Sequence, residues 1–518
     1  MKRIVIVGAG PAGLTAALEL SRKNMNYEII VLEESDQFGG ISRTLRYHGN
    51  RMDIGGHRFF SKDERVTKWW NEIMPLQGKL SYDDKKLGRD RELSEGGPDP
   101  ESEDNVMLVR QRVSRIFYNR RFFDYPITMK PQTFINMGLL QTIKGGSSYL
   151  ISTICKKKED SLENFYINRF GRVLYSMFFE GYTEKLWGRH PREISAEWGA
   201  QRVKGLSILA ILKDIIDKIL PDKRGRRVET SLIEEFAYPK YGPGQLWEKV
   251  AETAENNGVI IKKNCKVVSV HAQGQKIHAV TYINENAVQE TMECEYLIST
   301  MPIKDLIAGM NHVVPNSIKK IAKGLPYRDF ITIGLLFDKI NLKNTTKIKT
   351  LNNIVPDCWI YVQDVGVKLG RIQIFNNWSP YMVADVEHKV WIGLEYFCSE
   401  NDAFWNMSDQ ESYEFAAKEL VKMGIIDGKK DILDAHREKV KKAYPAYFDT
   451  YSEMDQMIQY LNQYENLYCI GRNGQHRYNN MDHSMVTAFE AVENILNHRK
   501  EKDNIWNVNT EQEYHEKK

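Results

Sequence analysis

An α/β fold is predicted by three observations in this 518-residue sequence: an N-terminal apolar strand entering a Gly-rich turn and a helix, a central block with helical periodicity, and a later return to β-rich segments. Residues 4–7 (IVIV) read as a buried strand, followed by Gly8, Gly10 and Gly13 in the spacing G-x-G-x-x-G and by a helical stretch over 14–21. Gly8 permits a tight turn, Gly10 lets the backbone approach a pyrophosphate, and Gly13 lets helix and strand pack closely, with the helix N-terminus facing the phosphates. A second strand over 28–32 ends in Glu33, placed to accept hydrogen bonds from a ribose diol. With strand, glycines, helix and acid in register, the segment predicts a dinucleotide site rather than a merely structural turn.

Composition bounds the rest. The chain carries 72 Lys plus Arg against 69 Asp plus Glu, a net charge of +3, and 42% hydrophobic residues. That excludes disorder and fibrous repeats, and it leaves no basic footprint for nucleic acid. Six cysteines, at 155, 265, 294, 358, 398 and 469, form no C-x-x-C pair and read as reduced core thiols, with no metal site expected. Residues 1–3 run straight into the first strand without a signal-peptide pattern, so a cytoplasmic protein is expected. No apolar run is long enough to span a membrane. The nearest, residues 206–220 (LSILAILKDIIDKIL), is broken by Lys213, Asp214, Asp217 and Lys218 and reads as an amphipathic helix on a core rather than one on a membrane surface.

FAD rather than NAD is indicated by a second glycine pair, Gly39 and Gly40 after Phe38, then Arg43, then the run Asp53, Ile54, Gly55, Gly56, His57. This N-terminal pattern resembles the flavoprotein superfamily of amine oxidases, protoporphyrinogen oxidases and UDP-galactopyranose mutases. The resemblance implies that Gly56 and His57 lie against the isoalloxazine ring. By residue type alone His57 is equally a satisfied loop histidine.

The organisation that this resemblance implies, together with the composition of each segment, is a Rossmann-type FAD-binding domain with an inserted helical domain and a mixed β-sheet substrate domain. The expected parts are 1–82, FAD-binding; 83–130, an exposed charged insertion and a substrate-domain strand; 131–225, a helical nucleotide-sugar-binding domain; and 226–305, FAD-binding again. Residues 306–440 then form the mixed-sheet substrate domain, 441–498 the last FAD-binding part, and 499–518 a solvated polar tail.

Residues 178–188 (FFEGYTEKLWG) combine dense aromatics with Arg189, Arg192 and Arg202. Aromatic faces beside guanidinium groups suit a nucleobase and its diphosphate; a helix core with a charged rim is the alternative. The stretch resembles the uridine-binding helix of UDP-galactopyranose mutases, with Leu186 where that family has glutamine. The resemblance implies that Tyr182 stacks on uracil, Phe178 and Phe179 line its pocket, Trp187 sits beside the diphosphate or sugar, and Arg202 contacts the diphosphate. By the same resemblance Arg328 acts near sugar and flavin, Arg371 binds the diphosphate, and Tyr444 contacts phosphate. The C-terminal run 471–482 (GRNGQHRYNNMD) resembles the family's closing motif, with His476 where a tyrosine is expected. It implies that Gly471, Arg472, Met481 and Asp482 close over the flavin and that Tyr478 touches substrate phosphate.

The function so implied is a nucleotide-sugar mutase, of the kind used in cell-surface polysaccharide biosynthesis. It interconverts pyranose and furanose forms of UDP-galactose or a related sugar through an adduct at N5 of reduced FAD, with Arg202, Arg371, Arg328, His57 and Tyr478 serving the chemistry. Its partners are a UDP-sugar and a reductant, NAD(P)H or a reductase. The competing reading is a net oxidoreductase of amine oxidase, protoporphyrinogen oxidase or desaturase type, passing a hydride to FAD. A nonenzymatic flavin-binding protein is disfavoured by the polar site residues. The sequence leaves the oligomeric state open.

Overall fold

The computed structural model describes residues 2–23, 26–125, 127, 131–196 and 235–509. The chain forms two compact units. The first comprises Met1–Val109, Ala237–Asp329 and Val440–Thr510; the second comprises Arg110–Phe236 and Phe330–Lys439, as far as these are described.

The first unit is built on a five-stranded sheet in the order Leu467–Cys469, Tyr296–Ser299, Lys2–Val7, Tyr27–Leu32, Ile260–Lys262. All four pairings between neighbouring strands are parallel. The run at 4–7 is continuous because both of its faces are covered. Ile4 and Ile6 pack with Leu14, Ala17 and Leu18 of helix Pro11–Ser21 and with Met485 and Ala488 of helix Met481–Leu496. Val5 and Val7 face a second core with Val270, Ile277 and Val280 of a three-stranded antiparallel sheet. Burying each such side chain contributes about 1.5–3 kcal/mol.

Residues 306–329 belong to this unit, not to the mixed sheet with which the sequence groups them. Helices Ile303–Ala308 and Asn316–Gly324 drive Leu306, Ile318 and Ile321 into the same core as Val5 and Val7. The segment expected to be an exposed insertion at 83–108 is anchored from within. Asp83 and Asp84 are 3% and 0% exposed, held by Ser81 Oγ at 2.8 and 2.9 Å, with Arg89 on Asp83 at 3.0 Å and Arg91 on Asp84 at 3.1 Å. The start of the segment is thus a buried ion cluster, whereas residues 92–96 and 101–104 are exposed, as composition predicts. The expected solvated tail is likewise docked over its described part. Ile505 and Trp506 are buried, Trp506 Nε1 donates to Asn462 at 2.9 Å, and Arg477 donates to the Trp506 and Val508 carbonyls. Of the six cysteines five are buried thiols, but Cys155 is exposed at a helix end.

The second unit carries a mixed sheet of seven strands in the order Ile432–Pro445, Tyr327–Phe337, Val390–Cys398, Arg371–Ile374, Trp359–Val362, Ser114–Tyr118, Arg121–Asp124. Trp359–Val362 pairs parallel to Ser114–Tyr118 and antiparallel to Arg371–Ile374. Its helices include Leu139–Ile154, Leu162–Tyr175 and Gly181–Trp187, the helical block that the periodicity from residue 131 predicts. Arg115 grips the wholly buried Asp357 with two hydrogen bonds, Nε to Oδ1 at 3.0 Å and Nη2 to Oδ2 at 2.6 Å, fixing one strand to the loop before its neighbour. Among the described residues no helix is long and apolar enough to cross a membrane.

Candidate functional site

In the first unit the Gly-rich turn is built as its spacing predicts. Gly8 has φ +96°, and a Cβ there would lie 2.1 Å from Thr300 Oγ1; a Cβ on Gly13 would lie 1.9 Å from the Gly8 carbonyl oxygen. Gly10 differs. Its added Cβ meets nothing nearer than Gly40 Cα at 3.8 Å, so the protein's own packing does not demand glycine there. Gly39 N–H donates to Ala9 O at 2.9 Å, which brings the second glycine pair to the turn. Glu33 accepts from Ala9 N–H at 2.6 Å and from Ser35 N–H at 2.9 Å and Oγ at 2.7 Å. These bonds orient a carboxylate that has acceptor sites for a diol as well.

The C-terminal motif meets the same turn. Gly471, at φ +75°, approaches so closely that a Cβ would lie 2.9 Å from Ala12 Cβ. Next to it, Arg472 lies 4.0 Å from the Tyr478 ring centre and 5.1 Å from that of Tyr444, and these two rings stack at 5.7 Å. Its Nη1 donates to the Asn479 carbonyl at 3.1 Å, while Nε and Nη2 are buried with no hydrogen-bond partner among the described residues. Two buried, orphaned donors on a half-buried cation suit the oxygens of a phosphate. His57 Nδ1 donates to Gly55 O at 3.0 Å; burial, then the Arg472 guanidinium, lower its pKa to about 4, so the ring is neutral near pH 7. Gly56 sits between them in the chain. Met481 and Asp482 start the helix that closes the unit, with Ser61 Oγ donating to Asp482 Oδ2 at 3.1 Å. Arg328 lies half-buried near the start of strand Tyr327–Phe337.

In the second unit Arg371 is the centre. Its Nε donates to Tyr182 Oη at 2.6 Å and its Nη1 to Glu395 at 3.2 Å. Trp359 and Phe397 each present a ring centre 4.9 Å from the guanidinium carbon, and Tyr361 presents one at 5.9 Å. Glu395 is wholly buried and is held further by Gln373 Nε2 at 3.0 Å; burial raises its pKa, against the pull of Arg371. The sheet makes this cluster, because Arg371 stands in register opposite Glu395 on one side and Tyr361 on the other. Sequence reasoning found Arg371 and Tyr182 but missed Glu395, Trp359, Tyr361 and Phe397. The strand pairing that brings them to Arg371 leaves no signal in the local sequence.

Lys185, inside the aromatic motif, is a clip. Its Nζ donates to the carbonyls of Val362, Asp364 and Leu369 at 3.2, 2.9 and 3.3 Å, and burial lowers its pKa to about 8. Helix Gly181–Trp187 is thereby tied to the loop after Trp359–Val362, which holds Tyr182 at Arg371. Phe178 is a core residue, packed at 5.2 Å on Phe123 and 5.9 Å on Tyr118, and Phe179 stacks at 4.6 Å on Tyr166 and 4.7 Å on Phe170. Trp187 is buried. Arg202 and the run 206–220 lie outside the described residues.

The description "flavin containing amine oxidoreductase" defines a family that matches residues 11–496. The chain belongs to that family. Among individual flavoproteins, it is 26% identical over 204 residues to a protein described as "probable UDP-galactopyranose mutase" of Klebsiella pneumoniae, covering 38% of this chain and 43% of that one. It is 41% identical over 59 residues to a 1-hydroxycarotenoid 3,4-desaturase of a Flavobacterium species, 11% of this chain and 12% of that one. The chain thus spans less than half the length of these curated relatives in either match. A crystal structure of reduced UDP-galactopyranose mutase shares the fold with a TM-score of 0.73 at 21% identity, over 99% of this chain and 100% of that one.

The cofactor of this flavoprotein is FAD, and the residues present fit it: the open face of Gly10, the oriented Glu33 and the orphaned donors of Arg472. The glycines separate fold from cofactor. Gly10→Ala, at φ −82°, is expected to keep the melting temperature of the apoprotein while lowering its flavin content, read from absorbance per polypeptide. Gly13→Ala is expected to prevent folding.

Proposed function

We propose that this flavoprotein is a nucleotide-sugar mutase that interconverts the pyranose and furanose forms of UDP-galactose or a related UDP-sugar. The observation that carries the reading is Arg371, a cation oriented by Tyr182 and Glu395 and walled by Trp359, Tyr361 and Phe397. Such a group suits a ligand that joins a flat base to a diphosphate. The likeness to reduced UDP-galactopyranose mutase supports it in fold.

Bound and reduced, FAD supplies the electron-rich centre at which the sugar exchanges its diphosphate with no net redox change. The chain's own residues bind and orient. Arg371 stabilises the departing diphosphate, and Arg202 is assigned the same task. Tyr182 carries the uracil; Tyr444 and Tyr478 orient phosphate. The neutral His57 and Arg328 act nearer the flavin, where His57 can hydrogen-bond without adding charge. NAD(P)H or a reductase supplies the electrons.

The test is anaerobic. Protein reduced with dithionite is mixed with UDP-galactopyranose or its furanose isomer, and the nucleotide sugars are separated chromatographically, with oxidised protein as control. Interconversion in the reduced sample alone is expected. Its absence across UDP-sugars, together with no UDP binding, overturns the reading. The family description and the desaturase match favour hydride transfer to FAD as the second reading, which predicts bleaching of oxidised flavin by an amine or polyene substrate under the same conditions.

A further inference from the structure

Helix Leu139–Ile154 is amphipathic in the wrong sense for a protein core. Its small face is the buried one: Gly145 and Ser152 are buried, and Ser148 Oγ accepts from Val173 N–H at 3.3 Å. The neighbouring helix approaches so closely that a Cβ on Gly171 would lie 2.7 Å from Tyr149 N. Its large apolar face points away. Leu139, Leu140, Ile143, Leu150, Ile151 and Ile154 are all exposed, from 57% at Ile143 to 82% at Ile154. At a helical step of about 100° per residue these six positions fall within an arc of roughly 120°, a stripe about 24 Å long broken only by the small residues Gly146 and Ser147. The preceding helix, Pro131–Met137, adds the exposed Ile135. Soluble monomers rarely leave a contiguous apolar face of this size in water.

Charge indicates what covers it. Across the whole chain acids and bases nearly balance, 69 to 72, yet residues 125–158 contain no Asp or Glu at all. The described lysines there, Lys144 beside the stripe and Lys156, Lys157 and Lys158 just beyond its C-terminal end, are exposed. Glu159 and Asp160 follow these lysines directly, with Glu159 taken by Arg169 at 2.7 Å, but a second copy of the same face would offer no acid on the stripe itself to meet them. An anionic bilayer offers the complement to both features, acyl chains for the stripe and headgroup phosphates for the lysines.

We propose that the face of helix Leu139–Ile154 is a membrane-surface site, seated in the plane of an anionic lipid bilayer without spanning it. The inference stands apart from the mutase reading, since no residue of the Arg371 cluster takes part.

The test uses the full FAD-loaded chain and vesicles of phosphatidylcholine with roughly 30% phosphatidylglycerol, against phosphatidylcholine alone. Cys155, the one exposed cysteine, takes an environment-sensitive fluorophore at the end of the stripe. Expected are co-sedimentation with the anionic vesicles and a blue shift of the fluorophore. Ile143→Gln with Leu150→Gln should weaken binding by on the order of tenfold or more. Replacing Lys156, Lys157 and Lys158 by Gln should weaken it by on the order of a hundredfold and remove the preference for anionic lipid. Both variants change exposed positions and should keep flavin content and melting temperature. Failure of the wild type to co-sediment, or equal binding to both vesicles, overturns the proposal. So does a vesicle-free dimer that the Ile143→Gln, Leu150→Gln variant dissociates, which would assign the face to self-association.

Discussion

Arg371→Ala is expected to abolish measurable UDP binding and to lower interconversion of the nucleotide sugar by about two to three orders of magnitude, or ~3–4 kcal/mol of lost transition-state stabilisation. The same change strands Glu395, wholly buried and held otherwise by Gln373, without its cation. Breaking such a pair costs about 3–5 kcal/mol, so the melting temperature should fall as well. A double variant separates the two effects. Arg371→Met with Glu395→Gln removes both charges, and it should recover most of the stability and none of the UDP affinity. Glu395→Gln alone leaves Arg371 uncompensated until an anion arrives. It should lower the melting temperature of the ligand-free protein and enlarge the rise that UDP produces. Calorimetric titration and thermal unfolding, run side by side on the variants, check all of this; retained UDP affinity in Arg371→Ala would remove Arg371 from the site.

The second large effect is on stability against pH, where two buried groups of the first unit act in opposite senses. His476 is fully buried beside the Tyr327 ring, its Nε2 donating to the Ala446 carbonyl at 3.0 Å and its Nδ1 without a partner. Burial foremost lowers its pKa from 6.5 to about 4. The unfolded chain therefore takes up a proton below pH 6.5 that the folded protein refuses, and roughly 3 kcal/mol of stability is lost as the pH falls toward 4. Asp53 runs the other way. Wholly buried, with Thr44 donating at 2.7 Å and Tyr238 on its other oxygen, it has its pKa raised by burial from 3.8 to about 7. Its contribution is present below pH 3.8 and is lost as the pH rises through 7, about 4 kcal/mol in all. The wild type should thus show a shallow dependence between pH 4 and 7, made of two steep ones. Asp53→Asn should be more stable near neutrality by about 2–4 kcal/mol and lose stability steeply in acid, whereas His476→Gln should lose its acid sensitivity and gain stability on acidification. Urea unfolding across this window decides it, and parallel curves for all three proteins would refute the assignment.

The parts of this molecule that could be read directly were those whose information is local. A strand, three glycines, a helix and Glu33 lie within thirty residues, and the structure reproduces them, with Gly13 answering a contact only five residues away at the Gly8 carbonyl. The Arg371 cluster was half legible. Arg371 and Tyr182 stand in recognisable runs, but Glu395 and Tyr361 reach Arg371 only through sheet register, which depends on pairing between strands far apart in the chain. The misread segments have one cause in common. Composition predicts solvent at 83–108 and 499–509, which holds for 92–96, 101–104 and 499–501, but a few residues anchor each segment: the acid pair Asp83 and Asp84 under Arg89 and Arg91, and Trp506 under Arg477. Residues 306–329 were misassigned for a related reason. Thr450 Oγ1 donates to Ile321 O at 2.8 Å, and that partner lies 129 positions away.

The parallel sheet of the first unit draws its five strands from residues 2–32, 260–262, 296–299 and 467–469, and the helix that covers the first strand ends at residue 496. During synthesis, then, the Gly-rich turn emerges long before strand Leu467–Cys469, which its sheet needs to close. Loop closure over such separations is slow, and it leaves strand edges open meanwhile. The second unit, whose sheet takes all its strands from residues 114–445, has its pairing partners available earlier. The cofactor cradle is consequently completed later than the mixed sheet, and flavin uptake reports closure of the parallel one.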